Sequence, residues 1–546
     1  MKFSKKTTIS ILLGLSTLLI IALILRLVSG SFRIPGFLSI KGYESSSIYL
    51  FVTVLLLTLI AGKTISGRVF LVSTLLLFLT FITLFQLDYY PVEVTGDGVG
   101  YFSYLHSLYF DRDLNFNNEY VRLNALKNKV ARAKLVKRGK KIRIVYRRLK
   151  RTGMVPNAFS IGPAILWMPF YALTDFFYRG KKPKRSGYES IYLNIIRFST
   201  VFYGFAGIFL LFMVLRRFFD ETTGILAVFT ILLASPMLYY FKNLPFYSHI
   251  LSFFAVSAFL YLFYRIKDST NPLYWGILGI VAGLAALVRW QNSIFASLPV
   301  IYLVAITIKE KFQSTELWKR MLNVVVLTIS FFITFLPQMI AFKILYGSYF
   351  TVPQGGKFLT SFPRYMFHVL FSGHHGLFNW HPLLIIGLIG FLLPLKIKDP
   401  DFSSRTFFYL ALLAFLLQWW MNGSITQYWA GASFGARRFI SSLAFLALGT
   451  GNFIKFILSS KRTTKFYILL LNLFFIINFF MVKAFSKVIP AEEPFGFAKI
   501  IQSMFTDFFT IISPKTMIFL FLYLAVLNTG FHLIITPRFR EIRTAR

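Results

Sequence analysis

Apolar stretches long enough to cross a bilayer recur from one end of this sequence to the other, and that recurrence limits the fold more than any other feature. The hydrocarbon of a bilayer is about 30 Å thick and asks a helix for about 20 apolar residues. Such runs are read at 9–29, 48–62, 69–87, 198–215, 224–241, 249–264, 272–288, 291–308, 322–342, 380–395, 406–421, 439–454, 466–482 and 516–536. The expected fold is an all-α polytopic membrane protein of about 14 transmembrane spans. Of 546 residues, 56% are hydrophobic and only 14% charged. A soluble chain carries about 25% charged residues, so a single soluble domain is excluded. There is no cysteine, which removes thiolate metal sites, disulfides and a cysteine nucleophile.

Orientation follows from Lys and Arg in short loops, which stay on the cytoplasmic side. Lys2, Lys5 and Lys6 put the N-terminus inside. The first run lacks a small-residue cleavage site and is read as a signal anchor. The loops 63–68, 216–223, 265–271, 309–321, 396–405 and 459–465 each hold at least two Lys or Arg and alternate to the inside. An even number of spans returns the tail, with Arg538, Arg540, Arg543 and Arg546, to the cytoplasm. The apolar segment 158–178 contains Pro163, Pro169 and Asp175, so it is taken as an interfacial or re-entrant helix on the outer face. The segment 489–513 is taken as a second interfacial piece. The hydrophilic segment 88–188 then lies outside, as a large first extracytoplasmic loop.

The net charge is +39. The basic residues are spread through loops between apolar runs, so anionic lipids are the expected partner and nucleic acid is not. The densest stretch, 122–151, holds fourteen Lys and Arg. It is read either as a solvated or headgroup-bound basic segment or as a collar attracting an anionic lipid-linked substrate.

Acids are scarce, and their placement is informative. None of the 20 falls inside a span, and six lie within 88–119: Asp88, Glu93, Asp97, Asp111, Asp113 and Glu119. An ion-coupled transporter needs an ionisable group near the midplane. An enzyme acting at the membrane surface needs carboxylates at its lip, and this chain supplies them. Gly96 and Gly98 flank Asp97. Glycine permits unusual backbone angles and close approach of a ligand, so Asp97 is expected on a tight loop with its carboxylate open. The aromatic and polar run that follows, YFSYLHSLYF and then DRDLNFNNEY, suits a sugar, with carboxylates for hydroxyls and rings for C–H faces.

Five stretches together carry a resemblance. They are GDGVGYFSYLHSLYFDRDLNFNNEY with NAFSIGPAILWMPFYAL, then SPMLYYFKNLPFYSHILSFF, GLAALVRWQN, FSGHHGLFNWHPLLIIGLIG and YWAGASFGARRFI. In this order they resemble bacterial members of the C-type glycosyltransferase (GT-C) superfamily. These are relatives of protein O-mannosyltransferases and of the aminoarabinose transferase that modifies lipid A. The resemblance covers roughly 69–460. It implies a GT-C-like helical bundle working as an inverting transferase. Such an enzyme takes a sugar from a polyprenyl-phosphate carrier on the extracytoplasmic face of the cytoplasmic (inner) membrane, with an Asp of the first external loop as general base. Asp97 matches that position. Residues 1–68 would be accessory spans, 69–460 the catalytic module with its external loop at 88–190, and 461–546 C-terminal spans and a cytoplasmic tail. Many family members carry a paired Asp-Glu or Asp-Asp where this chain has Asp97-Gly98, so the motif gives a metal no support and no cofactor is required.

The displacement needs a base for the acceptor hydroxyl, assigned to Asp97. Glu93, Tyr101, Asp111, Asp113 and Glu119 are assigned to acceptor or sugar positioning, with helix capping as the alternative for the acids. The leaving phosphate needs cations and donors. Arg437 and Arg438 are assigned to it because a guanidinium can give a phosphate two bonds at once, with interfacial snorkelling as the alternative. Arg289, in a short turn between spans, is a further donor or an interface anchor. His249 donates to the phosphate or caps its helix. His374, His375 and His381 have no standard ligand spacing and are read as a polar, substrate-facing loop rather than a metal site. The acceptor is a lipid, polysaccharide or protein. The competing readings are a lipid-linked oligosaccharide flippase or transporter, and a polysaccharide polymerase.

Overall fold

The computed structural model describes residues 93–124, 133–138, 141–180, 184–311, 314–458 and 460–514, scattered residues from there to 532, and the short ribbon of β1 (Arg33–Ile34) with β2 (Leu38–Ser39). The expected spans at 9–29, 48–62 and 69–87, and much of 516–536, lie outside the described residues. Apart from β1–β2 and an antiparallel pair of β3 (Ala133–Arg138) and β4 (Lys141–Tyr146), every described element is helical.

The segment expected as the large outer loop opens with α1 (Asp97–His106), which runs into a π-helical turn at Ser107–Asp111. It continues through α2 (Asn117–Arg122), the β3–β4 ribbon and α3 (Gly162–Tyr178). The bundle follows: α4 (Ser190–Phe218), α5 (Glu221–Leu233), α6 (Met237–Lys242), α7 (Ser248–Ile266), α8 (Pro272–Val288), a 3-10 stretch (Trp290–Ala296) leading into α9 (Ser297–Lys309), and α10 (Ser314–Tyr346). Next come α11 (Met366–Phe371), α12 (Leu377–Trp380), a 3-10 turn (Pro382–Leu384), α13 (Ile385–Leu392) and α14 (Phe402–Gly423). After a 3-10 turn at Arg437–Phe439, α15 (Leu443–Ile457), α16 (Lys461–Ala484) and α17 (Phe497–Ile511) complete the described elements.

Ten of the expected spans fall on these helices. Among the described residues, six helices are long and apolar enough to cross a membrane: α4, α7, the Trp290–Lys309 helix, α10, α14 and α16. Four more, α5, α8, the Pro382–Leu392 helix and α15, are apolar but shorter. The run at 224–241 is not one helix. Pro236 lacks an N–H and ends α5, which leaves carbonyls without helical partners. Inside a bilayer those must be satisfied by protein. Asn478 of α16 does so, donating from Nδ2 to the Leu233 carbonyl (2.8 Å) and the Ser235 carbonyl (2.9 Å). Asn452 of α15 does the same beyond α13, donating to the Gly390 carbonyl at 2.8 Å.

The ends expected at the cytoplasmic surface carry ordinary capping residues. Asp220, Asn271, Asp401 and Ser460 each accept a backbone N–H of the first turn of α5, α8, α14 and α16. Such caps stabilise a helix start by about 1 kcal/mol. On α3 the large residues Leu173, Phe176 and Phe177 are exposed, and on α17 Phe505 and Phe509 are. That is the apolar side a helix lying at a bilayer surface presents.

Helix α8 packs closely against α10 through small residues spaced four apart. A Cβ at Gly279 would stand 2.3 Å from the Leu327 carbonyl oxygen, and one at Gly283 would stand 2.7 Å from Thr334 Cβ. Close backbone approach at small residues is how helices pack where no hydrophobic effect separates them from lipid. We expect Gly279→Ala to lower the thermal unfolding midpoint of the detergent-purified protein, at a cost of about 1–3 kcal/mol. Gly224→Ala should leave it unchanged, because its Cβ would meet Phe212 at an ordinary 3.5 Å.

Candidate active site

Asp97 sits at the first position of α1, not on a loop as its flanking glycines suggest. Gly96 precedes it with φ +52°, a left-handed angle that turns the chain into the helix. Gly98 lies inside α1, where its missing side chain makes room: a Cβ there would fall 2.7 Å from Phe246 Cβ. The glycines thus set the approach of α1 to the segment before α7. Asn157 holds the same helix from the other side, donating to the Gly100 carbonyl at 2.9 Å while fully buried. A carboxylate in the first turn also faces the positive end of the helix dipole.

The Asp97 carboxylate pairs with Arg437 across the whole bundle. Arg437 Nη1 donates to Asp97 Oδ2 at 2.7 Å, and Nη2 donates to the Ala430 carbonyl at 2.8 Å. The guanidinium lies 5.6 Å from the Tyr247 ring centre. The side chains are 28% and 15% exposed for Asp97 and Arg437, so a ligand can reach both. Burial works against the charge on Arg437, but Asp97 beside it more than compensates and its pKa is raised. Arg438 is lowered, first by burial and then by Arg437 and Arg289. It donates to the Gln427 carbonyl at 2.7 Å.

A second line of contacts starts one turn further along α1. Tyr101 is four residues from Asp97 and therefore on the same side of the helix. Its hydroxyl accepts from Ser248 Oγ at 2.8 Å, and Ser248 Oγ accepts from Arg289 Nη1 at 3.1 Å. The same Arg289 nitrogen donates to His249 Nδ1 at 3.1 Å. A guanidinium has no acceptor, so His249 carries its proton on Nε2, which is buried without a partner among the described residues. Arg289 is extended and leads into the seven-residue 3-10 stretch, so its connection is longer than the short turn expected between spans.

Arg437 and Arg438 border a cleft shared with His375, Asn422, Tyr428 and Trp429. Asp97 reaches this cleft through Arg437 and is not itself on its wall. His375 donates from Nδ1 to the Trp429 carbonyl at 2.8 Å. Its Nε2, buried and without a partner among the described residues, is then an acceptor. His374 stacks on Trp429 with ring centres 5.2 Å apart.

The remaining acids lie elsewhere. Glu93 is exposed ahead of α1. Asp111 and Glu119 gather with His106 at the far end of α1, and Asp113 accepts from Ser107 Oγ at 2.7 Å and from Asn115 N at 3.0 Å. Nine residues of helix at 1.5 Å each separate that end from Asp97 by about 13 Å. The structure therefore brings Asp97, Tyr101, His249, Arg289, Arg437 and Arg438 to one place and leaves Asp111, Asp113 and Glu119 at another. Ser248 and Asn157 were not singled out from the sequence. Both lie within stretches that carry the family resemblance, and that was the available signal.

The family model for dolichyl-phosphate-mannose-protein mannosyltransferases matches residues 193–337. The description of that family agrees with the resemblance to relatives of protein O-mannosyltransferases read from the sequence. Among solved structures, ArnT from Cupriavidus metallidurans, crystallised with undecaprenyl phosphate, is 11% identical with a TM-score of 0.46, covering 90% of this chain and 77% of that one. The apo oligosaccharyltransferase of Archaeoglobus fulgidus is 13% identical with a TM-score of 0.38, covering 84% of this chain and 56% of that one. No curated protein matches.

The seat of Asp97 gives a direct test. A Cβ on Gly96 would lie 2.0 Å from the Tyr247 hydroxyl oxygen, and a non-glycine residue at φ +52° adds strain of about 1–2 kcal/mol. Gly96→Ala should lower the unfolding midpoint. Tyr247→Phe in the same chain should recover part of that loss and leave the backbone strain. Non-additivity above about 0.5 kcal/mol in this cycle is the expected outcome.

Proposed function

We propose that this protein transfers a sugar from a polyprenyl-phosphate carrier to an acceptor hydroxyl of a lipid, glycan or protein at the extracytoplasmic face of the inner membrane. One observation carries the reading: Asp97 is ion-paired with Arg437, and Arg438 and Arg289 lie within electrostatic reach of that pair. Three guanidinium groups against one carboxylate leave positive charge over. A reaction with one proton to remove and one anionic group to release needs that balance.

The carrier phosphate binds Arg437, which then shares its two edges between phosphate and Asp97, with Arg438 and Arg289 adding charge. The acceptor hydroxyl donates to Asp97. As its oxygen bonds to the anomeric carbon, the proton passes to the carboxylate. The bond from that carbon to the phosphate oxygen breaks with its electron pair, so the configuration inverts. The phosphate leaves as an anion held by the arginines and needs no acid. His249 orients Arg289, and Tyr101 through Ser248 ties that arginine to the helix carrying Asp97. His375 Nε2 offers the cleft an acceptor for a sugar hydroxyl.

Asp97→Asn keeps the shape and removes the basic oxygen. Transfer should fall about 10²–10⁴-fold with donor binding retained. Arg437→Ala should lower donor binding itself, since a charged hydrogen bond is worth about 1.5–3 kcal/mol. Donor binding and transfer, measured separately on purified variants in nanodiscs, check both. Full transfer by Asp97→Asn would remove it from the reaction.

The proposed side of the membrane is tested by labelling single cysteines, which the chain lacks naturally. Positions 97, 249, 374 and 437 should all lie outside, and cysteines at the accessible ones, 97, 374 and 437, should react with an impermeant thiol reagent from that side. Labelling of 374 only from the cytoplasm would overturn the orientation.

A further inference from the structure

The acids that the active site leaves aside form a cluster of their own. His106 ends α1, Asp111 ends the π-helical turn and Glu119 lies in α2. One ligand atom of each comes within 4.8 Å of the other two. We propose that these three side chains hold one divalent transition-metal cation, of the Mn²⁺, Fe²⁺ or Zn²⁺ kind, that staples the outer segment carrying Asp97.

The histidine fixes the chemistry. His106 Nε2 lies 2.9 Å from the Ser186 carbonyl oxygen, which can only accept, so Nε2 carries the proton. In the neutral ring Nδ1 is then a lone pair. It points at Glu119 Oε1 at 3.0 Å and Asp111 Oδ2 at 3.5 Å, two further acceptors. Three acceptors converging on one point require something positive between them. The spacing fits a metal: with bonds of about 2.1 Å, neighbouring ligand atoms stand about 3.0 Å apart on an octahedron and about 3.4 Å on a tetrahedron.

A second observation is independent of the cluster's own hydrogen bonds. Glu119 is fully buried, and its Oε2 has no partner among the described residues. An orphaned buried oxygen of this kind is rare in a folded protein. A bidentate carboxylate on a cation would account for it. Charge agrees, since two carboxylates with a neutral imidazole are balanced by two positive charges. One nitrogen and two carboxylates favour Mn²⁺, Fe²⁺ or Zn²⁺ over the all-oxygen preference of Mg²⁺ and Ca²⁺. Asn118, donating to Asp111 Oδ2 at 2.8 Å and Glu119 Oε1 at 3.3 Å, would hold both carboxylates in place.

The alternative is protons: burial pushes the Glu119 carboxyl up to about 7, and an imidazolium at His106 could bridge the pair. Metal binding decides between them, because metal displaces those protons. The cluster joins α1, α2 and the Ser186 segment about 13 Å along α1 from Asp97, so its role is structural and independent of the reading of the Asp97 site.

The full-length protein, purified in detergent, is stripped with a chelator and titrated with Mn²⁺ alone, followed by electron paramagnetic resonance, and with Zn²⁺ alone, followed by calorimetry. One equivalent should bind and raise the unfolding midpoint. Asp111→Asn should weaken binding at least tenfold. Its side chain is 31% exposed, so that variant keeps its fold by circular dichroism. Asp97→Asn should bind metal as the parent does. No binding of either ion at millimolar concentration, equal binding by Asp111→Asn, or a preference for Mg²⁺ or Ca²⁺ would overturn the proposal.

Discussion

The rule that a bilayer offers no hydrogen bonds governs this molecule more than any single contact. A helix may break inside hydrocarbon only where protein satisfies the freed groups. This chain breaks its helices repeatedly and patches four of the breaks with an amide. Asn478 serves the end of α5, Asn452 the end of α13, Asn292 the start of the 3-10 stretch, where it donates to the Ala285 carbonyl at 2.9 Å, and Gln338 the entry to α3, where it accepts from Ile161 N at 2.8 Å. Three of those breaks border the residues gathered round Asp97. Irregular backbone is what lets Arg289, His249 and Arg437 leave the helical lattice and turn toward one carboxylate.

Charge is used in the same way. None of the expected spans holds an acid, and the acids of the segment 93–119 divide into two groups with opposite needs. Around Asp97 cations exceed anions, which invites an anion. Around Glu119 anions exceed cations, which invites a cation. Asp175 shows the neutral case: it accepts from Arg185, from Tyr192 at 2.6 Å and from Tyr109 at 3.0 Å, is held at about 2 chiefly by the arginine, and asks for nothing more.

Much of the architecture was legible in the sequence because a bilayer turns composition into geometry. Ten of the expected spans lie on helices, and the interruption at Ser235–Pro236 was written in the proline. Asp97 and Arg437 were each singled out from the sequence, for different roles, but nothing in the sequence states that they touch. The other acids were grouped with Asp97 because they are near it in sequence. A regular helix then carried them away, which flanking glycines had argued against. Gly98 and Gly100 favour a loop by local preference, and here packing against Phe246 and Phe159 overrides it.

The pairing of Asp97 with Arg437 spans 340 residues of chain. At a synthesis rate of about 5–20 residues per second, the acid leaves the ribosome tens of seconds before its partner. During that interval every intermediate inserted in the membrane has the carboxylate without the guanidinium that pairs with it. The pair therefore closes only when the last part of the bundle arrives, and an unfinished chain holds no assembled centre.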